Sequence, residues 1–495
     1  MGLPRDLSCS PMRFLLFSGL LVFAGCKVTA PQAPALDVPE IWTEGVASTS
    51  DDVEGENLNA KGPPWWTRCQ DPLLEALIHE AMASGPDLHI AAARVKEADL
   101  RWQATSAGFG PSLDFSRSLR REDQSSQSFN FGDDAIPGFP TDQIFKVRTV
   151  SRHEIRGRWE ADLIGRNDLR TMSALANIDL AQAAYEDAIL LLSTRICDTL
   201  ADLRESMQQL AITASTIRRN ERSLELVEAR FDVGLGNELE LAQARRTLAE
   251  ARAQLPQAEI GPRAACDALA ALLGKHPGTM LHLLDPKMMV PPTPEGVLTL
   301  QPRELLTQRP DLRRLSAEMQ QAAANAGLAE AATQPTFGLE AALGTESNGA
   351  EISLSRTAAL WNVILTGATS LFDGGRRKLE SKAAGAVFEA AVEQHRQGVL
   401  NALAEVERTS RQLQATQDTL QYLDEAVAQA VIVREQSETR FTEGISGLDP
   451  VLDAEQALDP LQRQLATTRT NAWRQLSALV RSTGGSAGFR PFDSE

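Results

Sequence analysis

Between Gly165 and Gly234 the chain runs sixty-eight residues without glycine or proline, and apolar residues recur at every seventh position: Ile196, Leu203, Leu210, Ile217, Leu224 and Phe231. That spacing predicts one long helix, or two in line, reaching roughly 100 Å at 1.5 Å per residue, with the seam of a left-handed coiled coil. The same phase returns in Val406, Leu413, Leu420, Val427 and Phe441, interrupted at Arg434. Glycine breaks both helices, at Gly234-Leu235-Gly236 and at Gly444-Ile445-Ser446-Gly447. Helical patterns resume from Ala242 to Leu273 and from Leu452 to Val480. The prediction is two antiparallel helical hairpins of unusual length.

Elsewhere the period drops to two. Ser112-Leu113-Asp114-Phe115-Ser116 and Phe337-Gly338-Leu339-Glu340-Ala341 alternate apolar with polar or small residues, as strands with two unlike faces do. Residues 121 to 145, rich in Ser, Asp, Gly and Pro, read as a surface loop, and Lys146 to Trp159 as a returning strand. Gly344 to Ala350 reads as a shorter loop and Ile352 to Phe372 as its return. One β-hairpin is therefore expected at about 112–160 and another at about 336–372. Such alternation suits a wall with lipid on one side and water on the other. Four strands cannot close a water-filled barrel without leaving amides unpaired in hydrocarbon, so closure must come from several chains.

These elements repeat. Arg230-Phe231, Gly234, Leu248 and Gln254-Leu255 recur 210 residues later as Arg440-Phe441, Gly444, Leu458 and Gln464-Leu465, and Gly165-Arg166 recurs as Gly375-Arg376. Pro86-Asp87-Leu88 and Pro111 recur 224 residues later as Pro310-Asp311-Leu312 and Pro335. The chain is a duplication whose first copy carries fourteen extra residues between Pro111 and Gly165, an extension expected in the 121–145 loop.

The start of the chain follows other rules. Arg13, the apolar run Phe14 to Gly25 and the small residues before Cys26 have the layout of a secretory signal. Phe23-Ala24-Gly25-Cys26 resembles the lipobox of bacterial lipoproteins, in which the cysteine is diacylated and becomes the new N-terminus; a plain signal peptide cut near Cys26 is the alternative, and Met12 is a second candidate start. Residues 27 to 64, with Pro31, Pro34, Pro39, Pro63 and Pro64 among polar residues, read as an extended tether. The resulting divisions are a signal at 1–25, a lipidated tether at 26–64, a first repeat at 65–290, a linker at 291–300, a second repeat at 301–488 and a tail at 489–495. Cys69, Cys197 and Cys266 are far apart and read as buried apolar side chains rather than disulfide partners.

Composition excludes several functions. A net charge of -17 over 495 residues has the wrong sign for a nucleic-acid partner. The six histidines are scattered without metal-ligand spacing, and Gly374-Gly375 lacks the Lys-Ser/Thr of a phosphate loop. No catalytic constellation is found, so neither an enzyme activity, a cofactor nor a bound metal is expected, and energy for any transport would come from a partner.

From Trp65 to about Gly488 the chain resembles the TolC-like outer-membrane factors of tripartite efflux systems, in their lipoprotein branch. The stretches that carry this are Pro111-Ser112-Leu113, Trp159 to Arg166, Arg309-Pro310-Asp311-Leu312, Leu371-Phe372-Asp373-Gly374-Gly375 and Val451 to Gln456, in their order, spacing and duplication. The resemblance implies a mainly helical fold with β structure: a homotrimer with a membrane β-barrel of four strands per chain and a trimeric α-helical periplasmic barrel. It also implies outer-membrane lipid around the barrel, a periplasmic adaptor and an inner-membrane resistance-nodulation-division pump as partners. With only Tyr185 and Tyr422 in the chain, the aromatic girdle must rest on Phe or Trp. A type I protein secretion duct has the same shape, and a lipid-anchored coiled-coil scaffold without a pore is the reading from another class.

The resemblance places the turn of the second hairpin at the periplasmic tip, where the tunnel closes. Leu448, Asp449 and Asp453 are the gate candidates there, and Gly234, Gly444 and Gly447 the hinge candidates. Three copies of Asp453 around an axis would form an acidic ring, whereas solvation or capping of the turn is the plainer role for both aspartates.

Overall fold

A computed structural model describes residues 27–34, 38–39, 42, 64–122, 148–285, 287–293, 302–349 and 358–485. A 3-10 turn at Trp65–Cys69 precedes α1 (Pro72–Ser84) and α2 (Pro86–Ala107), then β1 (Ser112–Glu122) and β2 (Arg148–Ala161), then α3 (Arg166–Asp232) and α4 (Glu238–Leu272). The second copy repeats the plan with α5 (Pro310–Ala331), β3 (Thr336–Asn348), β4 (Ala359–Ala368), α6 (Arg376–Thr442) and α7 (Asp449–Ser482). Both long helices, α3 and α6, are 67 residues, close to the glycine-to-glycine spans of the sequence.

Local chemistry sets the helix starts. Asp71 accepts a hydrogen bond from the Leu74 amide ahead of Pro72, and Asn237 accepts one from the Glu240 amide. Asp162 receives the amides of Gly165, Arg166 and Asn167 at 2.7 to 2.9 Å, and Asp373 receives those of Gly375 and Arg377 at 3.0 and 3.3 Å. These two aspartates cap α3 and α6, which is the work done by the Trp159 to Arg166 and Leu371 to Gly375 motifs. Burial opposes ionisation of Asp162, but its backbone donors outweigh that and hold the carboxyl below its ordinary range.

The strands form one antiparallel sheet in the order β1-β2-β3-β4, so β2 against β3 joins the two copies. The loop expected to begin at Gly344 begins later: Gly344 to Asn348 continue β3, paired with Glu154 back to Val150. A Cβ at Gly344 would lie 2.1 Å from the His153 carbonyl oxygen, so glycine is there to let two strands approach, not to turn the chain. Most of the expected 121–145 loop and the start of the Ile352 to Phe372 return fall outside the described residues.

The chain divides into two compact units that cut across the repeats. The first holds the sheet and the helix segments within Glu97–Ile178 and Glu318–Val392, with residues 27–34; its core is Ala322, Ala323, Ala326 and Phe388, with Met172 packed against them. The second holds the described residues within Ala35–Lys96, Asp179–Ala317 and the segments from Glu393 onward. Its main core gathers Trp66, Ile78, Ile196, Leu203, Leu269 and Trp473. The seven-residue stripe does not stay buried along α3. Ile196 and Leu203 are fully covered, Phe231 is 40% exposed, and Val227 has taken over the core position. A straight helix rotates about 20° per heptad against a period of 3.5, which moves the stripe off its seam.

The three described cysteines are free. Burial, aided by Asp71, pushes the Cys69 thiol up to about 12, and burial raises Cys197 and Cys266 as well. A thiol reagent at pH 8 should leave Cys197 and Cys266 unmodified until the protein unfolds; fast stoichiometric labelling of either would contradict this packing.

Candidate functional site

Strand alternation and register sort the sheet into two faces. One carries Leu113, Phe115 and Leu119 of β1, Ile155 and Trp159 of β2, Leu339 and Leu343 of β3, and Trp361, Val363 and Leu365 of β4. All are exposed, with Leu113 at 75% and Trp361 at 76%. An apolar face this wide is not left to water. Its aromatic members are Phe and Trp, as two tyrosines elsewhere required. The face turns polar at Arg117, Arg121 and His153 toward the far ends of β1 and β2.

The opposite face is charged. Arg152 and Arg156 each reach Glu154 at 2.6 Å, Arg156 also reaches Glu340 at 3.1 Å, and Arg158 reaches Glu340 at 3.6 Å. Apolar on one side and ionic on the other is what a membrane barrel wall requires. β1 and β4 have no further partner strand among the described residues, which leaves two edges for other chains to pair.

At the other end of the long helices, the two glycine breaks have matching geometry. Gly234 and Gly444 have φ of 79° and 75°. Leu235 and Gly236 donate to the Arg230 carbonyl at 2.8 and 3.1 Å, and Ile445 and Ser446 donate to the Arg440 carbonyl at 2.9 and 3.3 Å. Both turns end their helix by returning amides to the last carbonyls with glycine in the left-handed region. Each presents an apolar residue to solvent, Leu235 at 74% and Ile445 at 62%.

The gate candidates separate in character. Leu448 is 1% exposed, packed with Val227, Ala244, Phe441, Val451 and Leu452, so it fastens the two helical hairpins to each other. Asp449 and Asp453 are exposed, and Asp449 accepts a long 3.5 Å hydrogen bond from Gln243. Gly447 lies between the Gly444 turn and α7. Cys26 lies outside the described residues, but the residues after it do not: Lys27 pairs with Asp168 at 2.5 Å and the Val28 amide donates to the Ile164 carbonyl at 3.0 Å. The tether therefore docks at the turn between β2 and α3.

A polar contact between the hairpins brings in Arg219, Thr216 and Asp459, which the sequence did not single out, and Glu455, which it marked only as part of the Val451 to Gln456 stretch. Arg219 of α3 reaches Asp459 at 2.6 Å and Glu455 at 3.5 Å on α7, and Thr216 donates to Asp459 at 2.5 Å. Burial pushes the Glu455 carboxyl above its ordinary value, Arg219 pulls it back only partly, and Asp459 adds to the rise. Nearer the turns, the Arg230 guanidinium stands 5.0 Å over the Phe441 ring and donates to the Phe441 carbonyl. The available signal was the acidic pair one helical turn apart at Glu455 and Asp459, facing a chain with no marked arginine. Among the described residues no group of His, Cys, Asp or Glu is arranged to hold a metal ion.

The chain is 28% identical to the pyoverdine export outer membrane protein OpmQ of Pseudomonas putida over 98% of both chains. It is 25% identical to the cation efflux system protein CusC of Escherichia coli over 97% of this chain and all of that one. The solved outer membrane protein VceC from Vibrio cholerae has the same fold, with a TM-score of 0.74 at 25% identity over 86% of this chain and 99% of VceC. The outer membrane efflux protein family matches twice, at residues 77–275 and 301–485, once on each copy of the duplication. With most of its length accounted for in this way, the chain belongs to the outer membrane efflux protein family.

Proposed function

We propose that the protein is the exit duct of a tripartite efflux system, a homotrimer that passively conducts substrates from a periplasmic adaptor and an inner-membrane resistance-nodulation-division pump to the cell exterior. The observation that carries this is the sheet: an exposed apolar face, a charged face and two unpaired edges, which together call for closure by further copies in a membrane. In the trimer the charged face lines the lumen, and the exposed Leu235 and Ile445 at the two matching turns offer the adaptor an apolar foothold. The segment Gly447 to Asp453 shuts the resting duct, with Gly234, Gly444 and Gly447 as the hinges on which the hairpins move. Purified protein should run as a heat-resistant trimer on a semi-denaturing gel and conduct in planar bilayers. A monomer that never conducts would return the chain to a coiled-coil scaffold, and loss of one secreted protein without altered sensitivity to drugs, metals or dyes on gene deletion would favour a type I secretion duct.

Cys26 carries the lipid anchor in this reading. The Lys27 and Val28 contacts hold the tether at the end of the sheet, where acyl chains on the preceding residue enter the periplasmic leaflet directly. Cys26→Ser should lose acyl label and change the mature N-terminus while the trimer still assembles, because the barrel itself holds it in the membrane. Unchanged processing and labelling would refute the anchor.

A further inference from the structure

One feature of the duplication is not explained by the duct reading: the arginines that follow its matched glycines, Arg166 and Arg376, meet at a single cavity. The cavity, of about 690 Å³, lies within the first unit over the end of α5 and also takes in Arg170 and Arg377. Its upper border is Thr336 and Ala368, which face each other across β3 and β4, with the hydroxyl-bearing Ser370 beyond. Strand alternation puts Thr336 on the same face as Glu340, and Arg166 pairs with Glu160, which shares that face with Arg156 and Arg158. Two independent contacts thus open the cavity on the charged side of the sheet, away from the apolar side.

Not every arginine here is held by an acid. Glu160 takes Arg166 at 3.3 Å, Asp373 takes Arg377 at 3.7 Å and Glu380 takes Arg376 at 2.7 Å. Arg170 has no acidic partner among the described ion pairs, its hydrogen bond going to Asn167 at 3.3 Å. Arg166 and Arg377 are also held by carbonyls at and just beyond the end of α5, those of Ala331, Ala332 and Gln334, so their planes are fixed before any ligand arrives. The fixed guanidinium forks of Arg166 and Arg377, with Arg170 beside them and a wall hydroxyl, match an oxyanion, which accepts several charge-assisted hydrogen bonds at once.

We propose that this cavity is an oxyanion site in the duct wall at the junction of sheet and helices, which takes the carboxylate or phosphate of an anionic solute passing through the lumen. The proposal rests on the duct reading for its placement in the lumen, and on the cavity alone for its binding chemistry. Three copies would make a belt of arginine donors in a protein that is otherwise strongly acidic, so that anionic solutes meet a favourable station where repulsion would otherwise act alone.

The test is equilibrium dialysis of purified full-length protein against radiolabelled inorganic triphosphate at low salt, beside bilayer conductance of the same preparation. The expected result is one site per chain, weakened at least tenfold in Arg170→Gln and further in Arg170→Gln/Arg376→Gln, largely restored in Arg170→Lys, with every variant still assembling as a conducting trimer. Arg170 is exposed, so these variants should assemble as the parent does. Conducting protein that binds no triphosphate, or binds it equally in the double variant, overturns the site and leaves the duct intact. Binding that follows the arginines in protein that never conducts keeps the site and overturns the duct. One phospholipid retained per chain and not displaced by triphosphate overturns the lumenal placement, since the cavity would then face lipid.

Discussion

Replacing Arg219 by Met should raise the single-channel conductance of resting trimers several-fold and let cells take up a large antibiotic such as vancomycin. Arg219 is the cation that pairs with both Glu455 and Asp459, and all three side chains are less than a fifth exposed. Its removal breaks both largely buried ion pairs and leaves only the more distant Arg434 acting on Glu455, a loss that typically costs about 3–5 kcal/mol. The two carboxylates relieve it by moving apart from α3, and α7 carries the Gly447 to Asp453 segment with it. The double change Asp449→Ala/Asp453→Ala should act in the same direction but less, because exposed carboxylates held by one long hydrogen bond are worth about 0–1 kcal/mol. Leu448→Ala belongs with the larger effects, since it empties a fully covered position between the hairpins. If Arg219→Met conducts like the parent while the double aspartate variant opens, the closure resides in the tip itself.

The contrast between these residues shows what a sequence carries. Helix and hairpin were legible because glycine-free length, period and turn residues are local properties: α3 and α6 end within two residues of the glycines that announced them. The duplication added the plan of the second copy from the first. Asp162 and Asp373 were visible only as parts of motifs, and their role as caps emerges when their carboxylates are seen to collect consecutive amides. Arg219 was hidden for a different reason. Which residue of α3 stands opposite Glu455 depends on the register of two helices more than two hundred residues apart, and no period along either helix encodes it.

Two other readings show tertiary context overriding local signals. Gly344-Thr345-Glu346-Ser347-Asn348 has the composition of a turn, yet it pairs with β2 along its length because that strand extends far enough to be matched. Leu448 sits beside a glycine break and looks like a tip residue, yet its side chain is enclosed by Val227 and Ala244 from the first hairpin. In both cases the deciding neighbour lies in the other copy of the duplication.

Arg309→Met should cost about as much stability as any substitution at the hairpin contact, and it should also flatten the acid sensitivity of the protein. Arg309 is 6% exposed and sits at the start of the second copy, where it donates to the Ser482 carbonyl at 2.7 Å, to Asp311 at 2.7 and 3.0 Å and to Glu405 at 2.9 Å. One side chain thus ties the end of α7, the start of α5 and the middle of α6, which explains the Arg309-Pro310-Asp311-Leu312 motif: Pro310 opens the helix, Leu312 enters the core, and the arginine binds the three elements. The first copy has Gly85 in the matching place and no such tie. Burial opposes the ionisation of Asp311, but Arg309 and the Leu312 amide outweigh it and hold the carboxyl below its ordinary value. A carboxylate whose folded value is depressed adds stability that is complete above its unfolded value, about 3.9, and is lost as the pH falls through the folded value. In the parent, thermal stability should therefore decline as the pH is lowered below about 4. Without Arg309 the Asp311 carboxyl returns toward its unfolded behaviour, the whole curve drops at neutral pH, and this part of its acid slope disappears. Thermal unfolding followed by circular dichroism between neutral and acid pH reads both effects in one series. A variant with the parent's stability and the parent's acid slope would show that α5, α6 and α7 are held together by their apolar contacts alone, with Leu312, Val399 and Val406 as the residues to test next.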